Sequence, residues 1–308
     1  MTDRAETPRS ARPDAGRLMR LASYAAVSVA VILVAVKFAA WLLTDSVAVL
    51  SSLIDSGLDA VASLVNLIAI RHALQPADRE HRFGHGKAEA LAGLGQAVFV
   101  GGSAMFLVHE ALPRLAAPQP VQEGAMGIAV MVFSIALTLA LVLFQRSVIR
   151  RSGSLAVTAD SLHYQGDVLV NLAVIAAIVL AQFAHLPVAD PVLALVIAVY
   201  VLWSAWQILR GAYDTLMDRE LPDAKRRRIR EIVMAHPAVR DMHDLRTRRA
   251  GTDSFIQLHI ELPAVISLHD AHVISDAIEL ELHAAFPEAE VLIHQDPEGV
   301  PETRQTFG

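Results

Sequence analysis

The chain has 308 residues, is 54% hydrophobic and has positive mean hydropathy, a more apolar composition than a soluble domain of this size carries. Its formal net charge is −6, and the excess is in the tail: residues 1–216 hold 15 basic and 15 acidic side chains, residues 217–308 hold 11 and 17, with seven of the 13 histidines. Such a tail argues against a nucleic-acid partner and suits cations, and the absence of cysteine excludes disulfides and thiolate metal sites, leaving His, Asp, Glu and carbonyl ligands, all compatible with zinc.

Residues 1–20 read as a polar, Pro-containing cytoplasmic segment. The apolar run behind them is too long for the core of a signal peptide. A membrane-spanning helix needs about 20 mostly apolar residues, and six stretches qualify, near 21–43, 47–70, 88–112, 122–144, 156–182 and 188–210. The third carries Gly93, Ala97 and Gly101 at four-residue spacing, which lets helix backbones approach closely in lipid. Basic residues alternate between the connections. They are dense before the first span, after the second (Arg71, Arg79, Arg82, Lys87), after the fourth (Arg146, Arg150, Arg151) and after the sixth. The first and fifth loops have none and the third has only Arg114. This asymmetry predicts a multi-pass inner-membrane protein with both termini in the cytoplasm.

The membrane domain is expected to run over 21–216, a cytoplasmic domain over 217–300 and a short tail over 301–308. In the cytoplasmic domain the pattern reads α-β-β-α-β. Pro222 opens a charged helix to about Ala235, stopped by His236-Pro237. Strands follow over Val239–Arg249 and Ser254–Leu262, joined at Ala250-Gly251. A helix over Leu268–Phe286 and a short strand over Glu290–His294 complete it. The fold class is therefore a six-helix α-helical membrane protein with a small C-terminal α+β domain whose helices lie on one face of the sheet.

Two spans carry charge at bilayer depth. The second holds Asp55 and Asp59, the fifth His163 and Asp167. Each pair is spaced i, i+4 and so shares one helix face. Ionisable groups in a span are costly and need partners, and two aspartates on one face repel unless a cation lies between them. If the two spans pack together, three carboxylates and one imidazole can surround one divalent ion. That donor set suits tetrahedral Zn²⁺, with Cd²⁺, Fe²⁺ and Co²⁺ also compatible. Asn66 and Asn171 read instead as interhelical hydrogen-bonding residues. In the loop after the second span, Asp78, His81 and His85 are spaced to meet on a turn or short helix, and Gly84 and Gly86 suggest a mobile loop. In the tail, His243, His259, His294 and Asp296 lie on or beside strands, and His294 and Asp296 share a strand face. His272 lies on the second tail helix.

These motifs carry a resemblance. Asp55-Ser-Gly-Leu-Asp59, the loop from Gln75 to Lys87, Ala159-Asp-Ser-Leu-His163-Tyr-Gln-Gly-Asp167, His243-Asp-Leu-Arg-Thr-Arg248 and Ile293-His-Gln-Asp-Pro297 resemble the cation diffusion facilitator family, especially its bacterial zinc and ferrous-iron efflux branch. The resemblance implies six spans followed by a metallochaperone-like cytoplasmic domain, and a homodimer that exchanges metal for protons. By position it implies a transport site at Asp55, Asp59, His163 and Asp167, and a second site at Asp78, His81 and His85. It further implies a two-metal site at the dimer interface of the tail, from His243, His259, His272, His294 and Asp296, with Gln295 able to add its backbone oxygen. Lys87 and Asp218 match positions of a charge interlock that supports the dimer.

The expected activity is proton-coupled efflux of a divalent metal by alternating access, with metal at the tail acting as feedback. A sensor without transport and a passive channel are the other readings. An intramembrane metalloprotease is disfavoured because no His-Glu-x-x-His motif occurs, so no enzyme activity is expected.

Overall fold

The computed structural model describes residues 13–45, 47–116, 125–184 and 188–300. The outer part of the expected N-terminal segment, the tail 301–308 and the predicted start of the fourth span at 122–124 lie outside these residues. The chain divides between Tyr213 and Asp214 into two compact units.

The first unit is helical: α1 (Pro13–Thr44), α2 (Val47–Ala73), α3 (Lys87–Ala116), α4 (Ala125–Ser152), α5 (Leu155–Ala184) and α6 (Ala189–Leu216). Among the described residues five of these, all but α5, are long and apolar enough to cross a membrane. Their outer surfaces expose large apolar side chains such as Leu43, Val61, Phe106, Val199 and Trp203, as a lipid-facing surface requires. Helix α5 concentrates its polar residues in its first half, with Asp160, Ser161, His163, Gln165 and Asp167, ahead of an apolar second half. That half is enclosed by its neighbours: Ala156, Ala159, Ser161 and Tyr164 are all buried. Partners inside the protein let a helix at membrane depth carry charge.

The ends of the helices differ from expectation in ways the local chemistry explains. Helix α1 starts at Pro13, eight residues before the predicted span. Proline suits the first turn, Asp14 complements the positive end of the helix dipole, and Ala15, Met19 and Ala22 are buried. Helix α4 continues through Arg146 and Arg150 to Ser152, because Gln145 and Val148 are buried in its last turns. It stops at Gly153, and Ser154 then caps α5 by accepting a hydrogen bond from the Val157 N–H at 3.1 Å.

The small residues of α3 do pack closely. A methyl group on Gly93 would meet Leu155 at 3.7 Å, one on Gly101 would meet Ala205 at 3.9 Å, and Ala97 is buried. These positions join α3 to α5 and α6 around Val100, Leu162, Val201 and Ile208. A second apolar cluster joins α1, α4 and α5 through Ala26, Leu33, Leu141 and Tyr164.

The second unit contains α7 (Asp223–Ala235), β1 (Asp241–Ala250), β2 (Asp253–Leu262), α8 (Leu268–Ala285) and β3 (Ala289–Pro297). The sheet order is β1-β2-β3, antiparallel then parallel. The β1–β2 turn uses Gly251 at φ +63°, a conformation glycine accepts without strain. Strand β3 is longer than predicted because its pairing with β2 runs from Ser254/Ala289 to Leu262/Pro297. Ile256, Leu258 and Ile260 point to one side and pack with Ile229, Val233, Ile278 and Leu282 of the two helices. The alternation of β2 leaves Gln257, His259 and Glu261 on the opposite face.

Candidate metal centre

Helices α2 and α5 bring the intramembrane ligands together. His163 Nε2 lies 2.8 Å from Asp59 Oδ1 and 3.8 Å from Asp167 Oδ2. One ligand atom from each of Asp59, His163 and Asp167 falls within 4.8 Å of the others. The imidazole is buried and Asp59 is largely so. Phe99 of α3 and Tyr164 flank the His163 ring, with centroids 5.7 and 5.5 Å away. Asp55, the fourth predicted ligand, is exposed on α2 one turn before Asp59 and lies outside this cluster of three.

Lys37 was not singled out by the sequence pattern. On α1 its ammonium donates to Ser56 Oγ at 2.7 Å and to the Ser52 carbonyl at 3.2 Å, and it lies within electrostatic reach of Asp55, Asp59 and Asp167. Nor was the polar network one turn toward the Ala73 end of α2. Asp160 is 1% exposed and accepts from Gln145 Nε2 at 2.7 Å and from Ser63 Oγ at 3.5 Å. Ser63 also bonds the Tyr164 hydroxyl at 2.7 Å. Asn66 reaches across to the Ala156 carbonyl at 3.4 Å, joining α2 to α5 as expected. Asn171 is seen bonding within its own helix: its amide donates at 2.7 Å to the Asp167 carbonyl, the acceptor one turn back.

The loop ligands also converge. Asp78 Oδ1 lies 3.4 Å from His81 Nδ1, and Oδ2 lies 3.3 Å from the buried His85 Nε2. Asp78 accepts backbone N–H bonds from His81 at 2.6 Å and Glu80 at 2.9 Å. The His81 N–H is the main cause that holds the Asp78 carboxyl below its ordinary range, opposed by some desolvation and helped by the Glu80 N–H. Gly84 adopts φ +78°, and its N–H bonds the His81 carbonyl at 2.9 Å, so it serves a defined turn. His72 at the end of α2, unremarked in the sequence, meets His85 edge-on with ring centroids 4.6 Å apart.

In the second unit the pairing register aligns His243, His259 and His294 across the three strands. The buried Asp296 is their common partner. Its Oδ2 lies 2.8 Å from His259 Nδ1 and 3.4 Å from His243 Nε2, and its Oδ1 lies 3.1 Å from His294 Nε2. A carboxylate facing imidazoles with both oxygens has the donor geometry to bridge two ions. His272 stays apart from this group, exposed on α8 and 3.4 Å from Asp276. The Gln295 side chain points to the helix side and donates to Ser275 Oγ at 2.7 Å. Lys87 opens α3 in the helical unit, whereas Asp218 belongs to the second unit and pairs with Arg248 at 3.5 Å.

Both units of the chain are similar to known proteins. Residues 23–217 match the cation efflux transmembrane domain, and residues 221–298 match the cation efflux protein cytoplasmic domain. The cation-efflux pump FieF of Klebsiella pneumoniae is 46% identical over 293 residues, 95% of this chain and 97% of its own. That of Yersinia pestis strain Pestoides F is 47% identical over 285 residues, 92% and 95% of the two chains. A solved structure of a candidate zinc transporter, CzrB, is 36% identical over 26% of this chain and 99% of its own, with a TM-score of 0.25. With a family match over most of its length and relatives this similar end to end, the chain belongs to the cation efflux family.

Proposed function

We propose that the protein exports a divalent transition metal from the cytoplasm to the periplasm in exchange for protons, with Zn²⁺ the first substrate and Fe²⁺, Cd²⁺ and Co²⁺ also accepted. The observation that carries the reading is the Asp59–His163–Asp167 cluster, with its imidazole buried, within the helical unit. Its oxygen and nitrogen donors, with no sulfur, match these ions. Asp55, one turn away on the same helix, completes a set of four when the helices adjust around the ion. α5 serves as the sixth crossing, and both termini face the cytoplasm.

The coupling follows from ligand chemistry. Carboxylates and imidazole bind metal only when deprotonated, so loading the site releases protons and reprotonation releases metal. An imidazole is the ligand whose charge changes most readily near neutrality, which makes His163 the coupling residue. Alternating exposure of the site to the two sides then exchanges one for the other. The protein acts as a homodimer in the lipid bilayer, supported by its cytoplasmic dimerisation domain and by a charge interlock that uses Lys87 and Asp218. Metal on Asp296 and its histidines, with His272 supplied at the dimer interface, neutralises the acidic tails and feeds cytosolic metal back on transport. The loop site of Asp78, His81 and His85 is a weak or regulatory metal position on the cytoplasmic side.

The test is zinc-driven proton flux in proteoliposomes, wild type against Asp167→Ala. Abolished flux supports the assignment, and undiminished flux overturns it.

A further inference from the structure

His72, in the last turn of α2, borders the loop that carries Asp78, His81 and His85. Those three offer ligand atoms within 4.8 Å of one another, and His72 stands beside the group rather than in it. Its ring meets that of His85 edge-on with centroids 4.6 Å apart, and His81 approaches His85 at the same 4.6 Å. Rings that share one tetrahedral zinc stand about 5 Å apart, centroid to centroid, as the Zn–N bond length sets, so both pairs are near the separation of rings on one ion.

Two further observations point to a ligand here. His72 Nδ1 lies 3.1 Å from Gln75 Oε1. A carbonyl oxygen only accepts, so Nδ1 carries the proton and Nε2 keeps a lone pair. An imidazole that donates one N–H to a carbonyl and holds a lone pair on its other nitrogen is in the form that binds metal. His85 has the matching need. Its side chain is 5% exposed, Nε2 faces Asp78 Oδ2 at 3.3 Å, and Nδ1 is buried with no hydrogen-bond partner among the described residues. Buried polar atoms are normally matched. The protein answers only Nε2, and a metal ion is the partner that a buried lone pair on Nδ1 lacks.

We propose that His72 is the fourth ligand of the loop position, through Nε2, so that Asp78, His81, His85 and His72 close around one divalent ion of the zinc class. The exposed His72 ring turns onto the ion as it binds, and Gln75 positions that ring. The inference rests on the reading of the loop as a metal position and sharpens it. Three protein ligands leave an open place for water or an incoming ligand, whereas four make a closed tetrahedral site that retains its ion. His72 thereby makes the position regulatory rather than a stage on the transport path. Three imidazoles and one carboxylate also favour zinc over the oxygen-seeking divalent ions. Because His72 lies at the end of α2, an ion bound here ties the helix that holds Asp55 and Asp59 to the loop.

Zinc-dependent amide protection distinguishes this position from the others. Hydrogen exchange by mass spectrometry is followed on peptides covering residues 74–86 of the full-length protein in detergent, as free zinc is raised, for wild type, His72→Phe and His72→Ala. His72→Phe keeps a ring against His85 and removes both nitrogens. Both variants are expected to need at least about tenfold more free zinc for half-maximal protection, the scale on which losing even an outer partner weakens a metal site. Each midpoint is compared with the same protein's zinc-free protection, so that a loosened loop is not mistaken for lost binding. A midpoint in His72→Phe equal to that of wild type overturns the proposal, whatever His72→Ala does, since His72 would then only pack against His85. Protection that does not respond to zinc in wild type overturns the loop reading itself and the proposal with it, which separates the two failures. Neither result involves flux, so the proteoliposome test of transport is decided separately.

Discussion

His163 Nε2 on α5 meets Asp59 Oδ1 on α2 at 2.8 Å, so the two helices that carry the candidate intramembrane ligands meet in a carboxylate–imidazole pair. Neither residue can be removed without changing the surroundings of the other. His163→Ala and Asp59→Ala are each expected to weaken zinc binding at this site by at least about tenfold, ~1.4 kcal/mol. The double variant should lose less than the product of the two, because residues in direct contact are coupled by roughly 0.5–3 kcal/mol. Zinc titration of all four proteins gives the coupling, and strict additivity would separate the pair.

Asp160 supports the same region without belonging to the cluster. It is buried beneath His163 and holds Gln145 of α4 and Ser63 of α2. Asp160→Ala strands these polar groups away from water, at a cost of about 1–3 kcal/mol. Asp160→Asn can accept from Gln145 and donate to Ser63, so it should recover most of the loss. Thermal unfolding in detergent should order the proteins wild type, Asn variant, Ala variant. Equal midpoints for the two variants would count against the hydrogen bonds.

Much of this centre was readable from the sequence because it rests on short-range geometry. The i, i+4 spacing of Asp55–Asp59 and His163–Asp167 puts each pair on one helix face before any tertiary structure is known, and the alternation in β2 separates His259 and Glu261 from Ile256, Leu258 and Ile260. What was not readable depends on which helix lies beside which. Lys37 is a single charge in an apolar run, and only the approach of α1 to Ser52 and Ser56 of α2 gives it a role. His72 closes a helix far in pattern from His85, and only the fold of the loop brings their rings edge to face. Asp241 and Glu261 become a pair through strand register, which the spacing of residues along one strand does not reveal.

The Asp78 turn predicts a local pH dependence. Its carboxyl is held below the ordinary range mainly by the His81 N–H. A lowered pKa means that the turn is stabilised above the unfolded value, about 3.9 for Asp, and that this contribution is lost as pH falls through the folded value. The amide protons of His81 and Glu80, bonded at 2.6 and 2.9 Å, should therefore stay protected down to about pH 4 and lose protection below it. Asp78→Ala should abolish the protection at every pH. Exchange measured by mass spectrometry on peptides covering residues 74–86 tests this, and protection independent of Asp78 would refute it.

Lys37 places its ammonium near the proposed ion site. With no metal bound it offsets the carboxylates of Asp55, Asp59 and Asp167; with a divalent ion bound it repels that ion, an effect strengthened by the low local dielectric. Lys37→Met keeps the length and apolar packing of the stem and removes the charge. It should bind zinc more tightly, by about tenfold or ~1.4 kcal/mol, and release it more slowly, so that flux at saturating zinc falls while the zinc concentration giving half-maximal flux also falls. The split matters, because a variant that merely disturbs α1 would lower flux and raise that concentration. Zinc binding and proteoliposome flux measured on the same preparation distinguish the two, and unchanged affinity would show that Lys37 serves Ser52 and Ser56 alone.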